Sequence, residues 1–280
     1  MFLSAISNRF RRARRAMIAL SAPVIAASPV IAASLVIAAA IDPAIAAGCA
    51  FAPQGEGRVT EVVDARSFRL DDGRDVSLIG IEPVPATDTN ANRAAALAAI
   101  IGGHEVTLRG DDDTPDRYGR QPAFVFIGSS DTPVQATLLA QGAALLAATV
   151  ADKECAATLA AAEASARIGK RGIWADPAVI KNTESPGDIL AGIGRFSVVE
   201  GKVLSVRQAG ATTYLNFGRN WTRDFAVTIP KRMIPVFEGA GIMLKSLENR
   251  RIRVRGWIEA RGGPRIEALR VGQIELLGEN

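Results

Sequence analysis

Ten residues, Val76 to Pro85 (V-S-L-I-G-I-E-P-V-P), limit what this chain can fold into more than any other stretch. Val76, Leu78, Ile79 and Ile81 are apolar and branched, the composition of a buried strand, and Gly80 stands where a barrel strand must bend. The bent strand runs into a loop rich in proline, so a site is expected at its end.

The neighbouring segments supply the rest of a barrel. Arg58 to Asp64 and Ser67 to Leu70 alternate or run apolar, and Asp71-Asp72-Gly73 before Val76 reads as a hairpin turn. Asp88-Thr89 is an N-cap pair for an alanine-rich helix over Ala91 to Ile101, stopped by Gly102-Gly103. Val106 to Arg109 and Ala123 to Ile127 bring the strands to five, the number required by an oligonucleotide/oligosaccharide-binding (OB) barrel.

Between the last two strands lies Asp116-Arg117-Tyr118-Gly119-Arg120. This D-x-Y-G-R run and the V-S-L-I-G-I-E-P-V-P strand together resemble the staphylococcal-nuclease-like (thermonuclease) family. Leu138 to Ala143 resembles the family's helix after the barrel, and Glu163 to Trp174 its closing helix with a tryptophan cap. The resemblance spans about Arg58 to Asp176 and implies phosphodiester hydrolysis with calcium.

Position by position, the resemblance implies a changed site. Arg120 matches a catalytic arginine, but Ser77 stands where the family has another, Glu82 where it has a calcium-binding aspartate, and Pro85 where it has the catalytic glutamate. Phosphodiester hydrolysis needs cations aimed at the phosphoryl oxygens and a group to orient water, and calcium wants six to eight oxygens. Here the metal turn reads Asp64-Ala65-Arg66-Ser67, with an arginine in a ligand position. Glu82 and Asp64 remain as metal candidates. Arg66 either pairs with Glu82 and fills the metal position or simply reaches solvent from its turn. Arg120 has a structural reading of its own, as the partner of a nearby carboxylate in a tight turn at Gly119.

The chain begins with a basic segment. Arg9, Arg11, Arg12, Arg14 and Arg15 precede an apolar run from about Ala16 to Ala40 and an A-x-A site at Ala44-Ile45-Ala46, which together read as a secretory signal peptide over residues 1–46. An uncleaved membrane anchor, or lipidation at Cys49, is the alternative. Without those residues the net charge falls to zero, but unevenly: residues 47–180 carry 12 basic and 18 acidic side chains, and residues 181–280 carry 16 and 10. The two cysteines, Cys49 and Cys155, are an even pair in an exported chain and favour a disulfide; a free or lipidated Cys49 beside a buried Cys155 is the other reading.

A second domain is expected over 194–280, joined to the first (47–178) by a polar linker over 179–193. Phe196 to Val206, Thr213 to Phe217, Phe225 to Ile229, Ile252 to Glu259 and Arg265 to Leu269 read as strands, with a short helix over Lys231 to Phe237. This is again the OB pattern. Tyr214, Arg219, Trp221 and Arg223 in one hairpin, with Arg251 and Arg253 on a strand, interleave cations and aromatic rings as a groove for single strands does. A basic strand face is also the ordinary solvated side of a sheet, or a surface that docks the acidic first domain.

Other chemistries are excluded or find little support. His104 is the one histidine and no Cys-x-x-Cys pair occurs, so a histidine-based zinc site and a Ser/His triad are ruled out. Asp111-Asp112-Asp113 lacks calcium-loop spacing and reads as a solvated turn. The expectation is a mainly β, exported protein of two OB-type five-stranded barrels. It is read as a degenerate thermonuclease-like binding module with no cofactor, taking nucleic acid or another polyanion through the second barrel. A calcium-dependent nuclease using Arg120, and an envelope scaffold for protein or glycan, are the alternatives.

Overall fold

The computed structural model describes residues 48–84 and 90–278. The signal-peptide segment, Pro85 and the Asp88-Thr89 cap therefore lie outside the described residues. Within these residues the chain is mainly β with a few helices.

The first barrel closes in the order β1-β2-β3-β6-β5. Its strands are β1 (Ala52–Asp64), β2 (Ser67–Leu70), β3 (Asp75–Leu78), then β5 (Glu105–Gly110) and β6 (Gln121–Ile127), with a short β4 (Ile81–Pro83) leaving the barrel after Gly80. Gly80 has φ +80, and a Cβ there would meet Val150, Leu159 and Phe124 at 3.1–3.4 Å. Only glycine satisfies both the turn and the packing, which explains why the strand bends at that point. β3 and β6 run parallel and the other pairs antiparallel. Helix α1 (Asn90–Ile101) leads into β5 and buries Leu97 and Ile101.

β1 starts six residues earlier than expected. Ala52 to Gly57 pairs with β5 through a register shift between Pro53 and Gly55, and a stretch holding Pro53, Gly55 and Gly57 shows no apolar alternation from which a strand could be read. Behind the barrel lie α2 (Val134–Gln141), β7 (Ala144–Leu146) and α3 (Lys153–Ile168). Gly142 ends α2 in the left-handed conformation, so the helix expected at Leu138 to Ala143 begins earlier and stops before Gly142. Asp152 caps α3 by accepting from Cys155 N, and Cys155 forms the disulfide with Cys49.

The stretch expected to be a linker is structured. β8 (Ile180–Asn182) pairs parallel with β9, and α4 (Pro186–Leu190) buries Ile189 in the second core. Five strands then repeat the topology of the first barrel. They are β9 (Phe196–Lys202) continued by β10 (Ser205–Ala209), β11 (Thr212–Asn216), β12 (Ala226–Pro230), β13 (Arg251–Trp257) continued by β14 (Glu259–Arg261), and β15 (Gly263–Glu267). β12 and β15 are parallel, as β3 and β6 are, and a short helix α5 (Ile234–Gly239) stands between the third and fourth strands as in an OB fold. The strands are hydrogen-bonded as two sheets, β10-β11-β12-β15-β14 and β16-β13-β9-β8, the latter including β16 (Ile274–Leu276), which the sequence reading did not anticipate. Both barrels belong to one compact unit.

Candidate functional site

The turn between β1 and β2 is held by Asp64, whose Oδ1 accepts from Arg66 N at 2.9 Å. That turn lies against the end of β3, since Leu78 N donates to Arg66 O. Arg66 Nη1 then reaches Glu82 Oε2 at 3.2 Å, with the two side chains 29% and 14% exposed. Burial drives the Glu82 carboxyl above the usual carboxylate range, and the adjacent Arg66 guanidinium only partly opposes it. Ser77 is buried in β3, opposite Ser67.

Arg120 is occupied as well. Its Nε and Nη2 donate to Asp116 Oδ2 at 3.0 and 2.8 Å, while Asp116 Oδ1 accepts from Tyr118 N and Arg120 N. Burial would raise the Asp116 carboxyl, but these donors outweigh it and hold it below its usual value. Gly119, at φ +78, closes the turn. Arg66 and Arg120 thus each carry a carboxylate partner.

Both metal candidates are engaged by protein donors. Glu82 accepts from a guanidinium, Asp64 accepts through Oδ1 from its own turn, and among the described residues no group of three or more His, Cys, Asp and Glu is placed to hold a metal.

The second barrel divides its six candidate residues among three places. Arg219, Trp221 and Arg223 share the exposed loop between β11 and β12, where Trp221 is 76% exposed. The loop is not slack: Asp224 accepts from Asn220 N, Asn220 Oδ1 accepts from Thr222 N and Oγ1, and Gly263 N donates to Trp221 O. Gly262 leaves room for the indole, since a Cβ there would sit 3.3 Å from the ring. Tyr214 is half-buried on β11, between Arg207 and Thr228 in register. Arg251 is exposed at the far end of β13 from Trp257, about 20 Å away at ~3.3 Å per residue.

Arg253 departs from the sequence reading. It is 7% exposed and stands in one row between Glu200 and Glu275 on the flanking strands, at 2.6 and 2.7 Å. Arg255, 4% exposed, reaches Glu163 of α3 at 2.7 Å, and Arg167 of α3 meets Glu275 at 3.4 Å. Three cations and three carboxylates, Glu163 included, therefore balance where β13 faces α3. At these two positions the face read as solvated or anion-binding is closed: Glu200 and Glu275 hold Arg253 and Glu163 of α3 holds Arg255, so Arg253 is not available to a ligand. The sequence signal for this arrangement was the alternation of Arg253 and Arg255 with Ile252 and Val254 beside an excess of acid in the first domain.

A closed five-stranded barrel in this strand order, followed by a closing helix and a tryptophan, defines an OB-type domain. Residues 88–176 match the family described as staphylococcal nuclease homologue, so this region is a thermonuclease-like domain. No curated protein matches the chain. Arg120 lies inside the matched residues, whereas Asp64, Ser77, Glu82 and Pro85 all precede them.

Proposed function

We propose that this is an exported, catalytically degenerate thermonuclease-like protein that binds rather than cleaves, with single-stranded nucleic acid held at the Arg219–Trp221–Arg223 loop of the second barrel. The Arg66–Glu82 pair carries the first half of this reading. A guanidinium bound to the Glu82 carboxylate leaves neither group free, the one for a metal or the other for the transition-state charge. Asp116 ties down Arg120 in the same way. The leader and the Cys49–Cys155 disulfide support export, and among the described residues no helix is long and apolar enough to cross a membrane.

The second half rests on Trp221. An indole held open on a braced loop between two exposed arginines is a stacking platform. The test is incubation with labelled single-stranded DNA and RNA, with calcium or chelator, read on denaturing gels and by fluorescence anisotropy. The strands are expected to stay intact, with binding that weakens as salt rises and by roughly 5- to 150-fold in Trp221→Ala, the equivalent of about 1–3 kcal/mol per stacked base. Calcium-dependent cleavage abolished by Arg120→Ala would overturn the degenerate reading. Binding unchanged in Trp221→Ala would overturn the placement of the surface.

A further inference from the structure

We infer that Arg255 of the second barrel is a positioning residue for the candidate site in the first, acting through the three-residue strand β7. One edge of β7 pairs with β4, placing Leu145 opposite Glu82 and Leu146 opposite Ile81. In an antiparallel pair, alternate residues turn their backbone groups away from the partner. Leu146 is such a residue. Its N–H donates to Glu163 Oε1 at 2.8 Å, and its carbonyl accepts from Arg255 Nη1 at 3.2 Å.

The same Arg255 nitrogen donates to Glu163 Oε2 at 2.7 Å. A carboxylate from α3 and a guanidinium from β13 thus supply the acceptor and donor that a third strand would have offered. Both side chains are almost wholly buried, so Leu146 has no water to fall back on. The fixed fork of a guanidinium can serve the carbonyl and the carboxylate at once, whereas a lysine ammonium is a compact point charge on a flexible stem. The charged groups facing this point from the surrounding elements are Arg167, at 3.8 Å from Glu163, and Glu275, at 3.7 Å from Arg255.

The strand carrying Glu82 is therefore held from behind by the second barrel. Glu82 meets Arg66 only as long as β4 keeps its place against β7, and β7 keeps its place through Arg255. The inference builds on the Arg66–Glu82 pair as the centre of the candidate site, but its test reads strand geometry and needs neither cleavage nor ligand binding.

The experiment is amide hydrogen exchange on the full chain for wild type, Arg255→Lys, Arg255→Met and the double variant Glu163→Leu/Arg255→Leu. Carboxyl-labelled glutamate reports the Glu82 titration in parallel. In Arg255→Met, the amides of β4 and β7 are expected to exchange about tenfold faster or more, the factor set by losing one charge-assisted hydrogen bond, while those of β5 and β6 keep their protection. Arg255→Lys should fall between the two. The double variant restores apolar packing without an edge partner. It should show at least the same local acceleration and a shifted Glu82 titration with β5 and β6 still protected, and it decides the matter if Arg255→Met, with Glu163 left without its Arg255 partner, does not fold. Wild-type protection of β4 and β7 in the variants, or a loss spread evenly over both barrels, would overturn the inference.

Discussion

Arg66 and Glu82 face each other across 3.2 Å at the mouth of the first barrel, one from the β1–β2 turn and the other from the strand beyond Gly80. Glu82 is the more enclosed partner, and its burial outweighs the attraction of Arg66. The pair fills its site without being optimised for stability, as is common for ion pairs removed from water.

A pH dependence follows. Because the folded-state pKa of Glu82 is raised above its unfolded value, the native state binds the proton more tightly, and stability falls as pH rises from the unfolded value through the folded one. Glu82→Gln removes that dependence. Urea titrations of wild type and Glu82→Gln should show the variant gaining on wild type through this window and holding the gain to neutral pH. A variant that loses ground above the window would show that the Arg66 pair dominates instead.

Arg251 and Arg253 are two residues apart on one strand and should behave as opposites. Arg253→Met leaves Glu200 facing a buried site without its cation and is expected to cost about 3–5 kcal/mol. Arg251→Met, at an exposed strand end, should stay within about 0.5 kcal/mol of wild type. Denaturant unfolding of the two variants checks this directly, and equal small effects would restore the solvated reading of the face.

Gly80→Ala combines left-handed strain with a methyl group driven against Val150, Leu159 and Phe124. A loss of about 2–4 kcal/mol is expected from the two together. Thermal or urea unfolding measures it, and a loss below about 1 kcal/mol would mean that the bend relaxes.

The Cys49–Cys155 bridge spans 106 residues. Reduction, or the double variant Cys49→Ala/Cys155→Ala, should lower stability by up to about 4.7 kcal/mol, the chain-entropy figure for a loop near that length. Unfolding with and without reductant measures it. The difference should vanish in the double variant, which has no bond to reduce.

Much of the fold was legible because its signals are local. Gly80, the Asp71-Asp72-Gly73 turn and the alternation of Thr213, Leu215 and Phe217 each follow from the backbone or from one strand face. β8 and β16 were missed because three-residue strands hold too few side chains to show a period, and the start of β1 because Pro53 and Gly55 hide it. At the site, the Arg66–Glu82 pair was one of two open readings, since sequence shows which charges exist but not how far each side chain extends. The burial of Arg253 and Arg255 was hidden for a different reason. A strand reveals its alternation, yet what covers its polar face belongs to a segment ninety residues away, in helix α3.

The capping of Leu146 bears on how the protein meets others of its kind. A strand edge with free amide and carbonyl groups is a template for the next chain, and folded proteins hide such edges. Here half of the cover for the β7 edge, the donor to the Leu146 carbonyl, is borrowed from the second barrel, across the Asn182–Gly187 segment. A protease cut there, followed by separation of the halves, would uncover the edge of β7 together with the apolar surface of Leu145, Ala166 and Trp174. The nicked first half is then expected to self-associate, an outcome that light scattering of the cut protein would check.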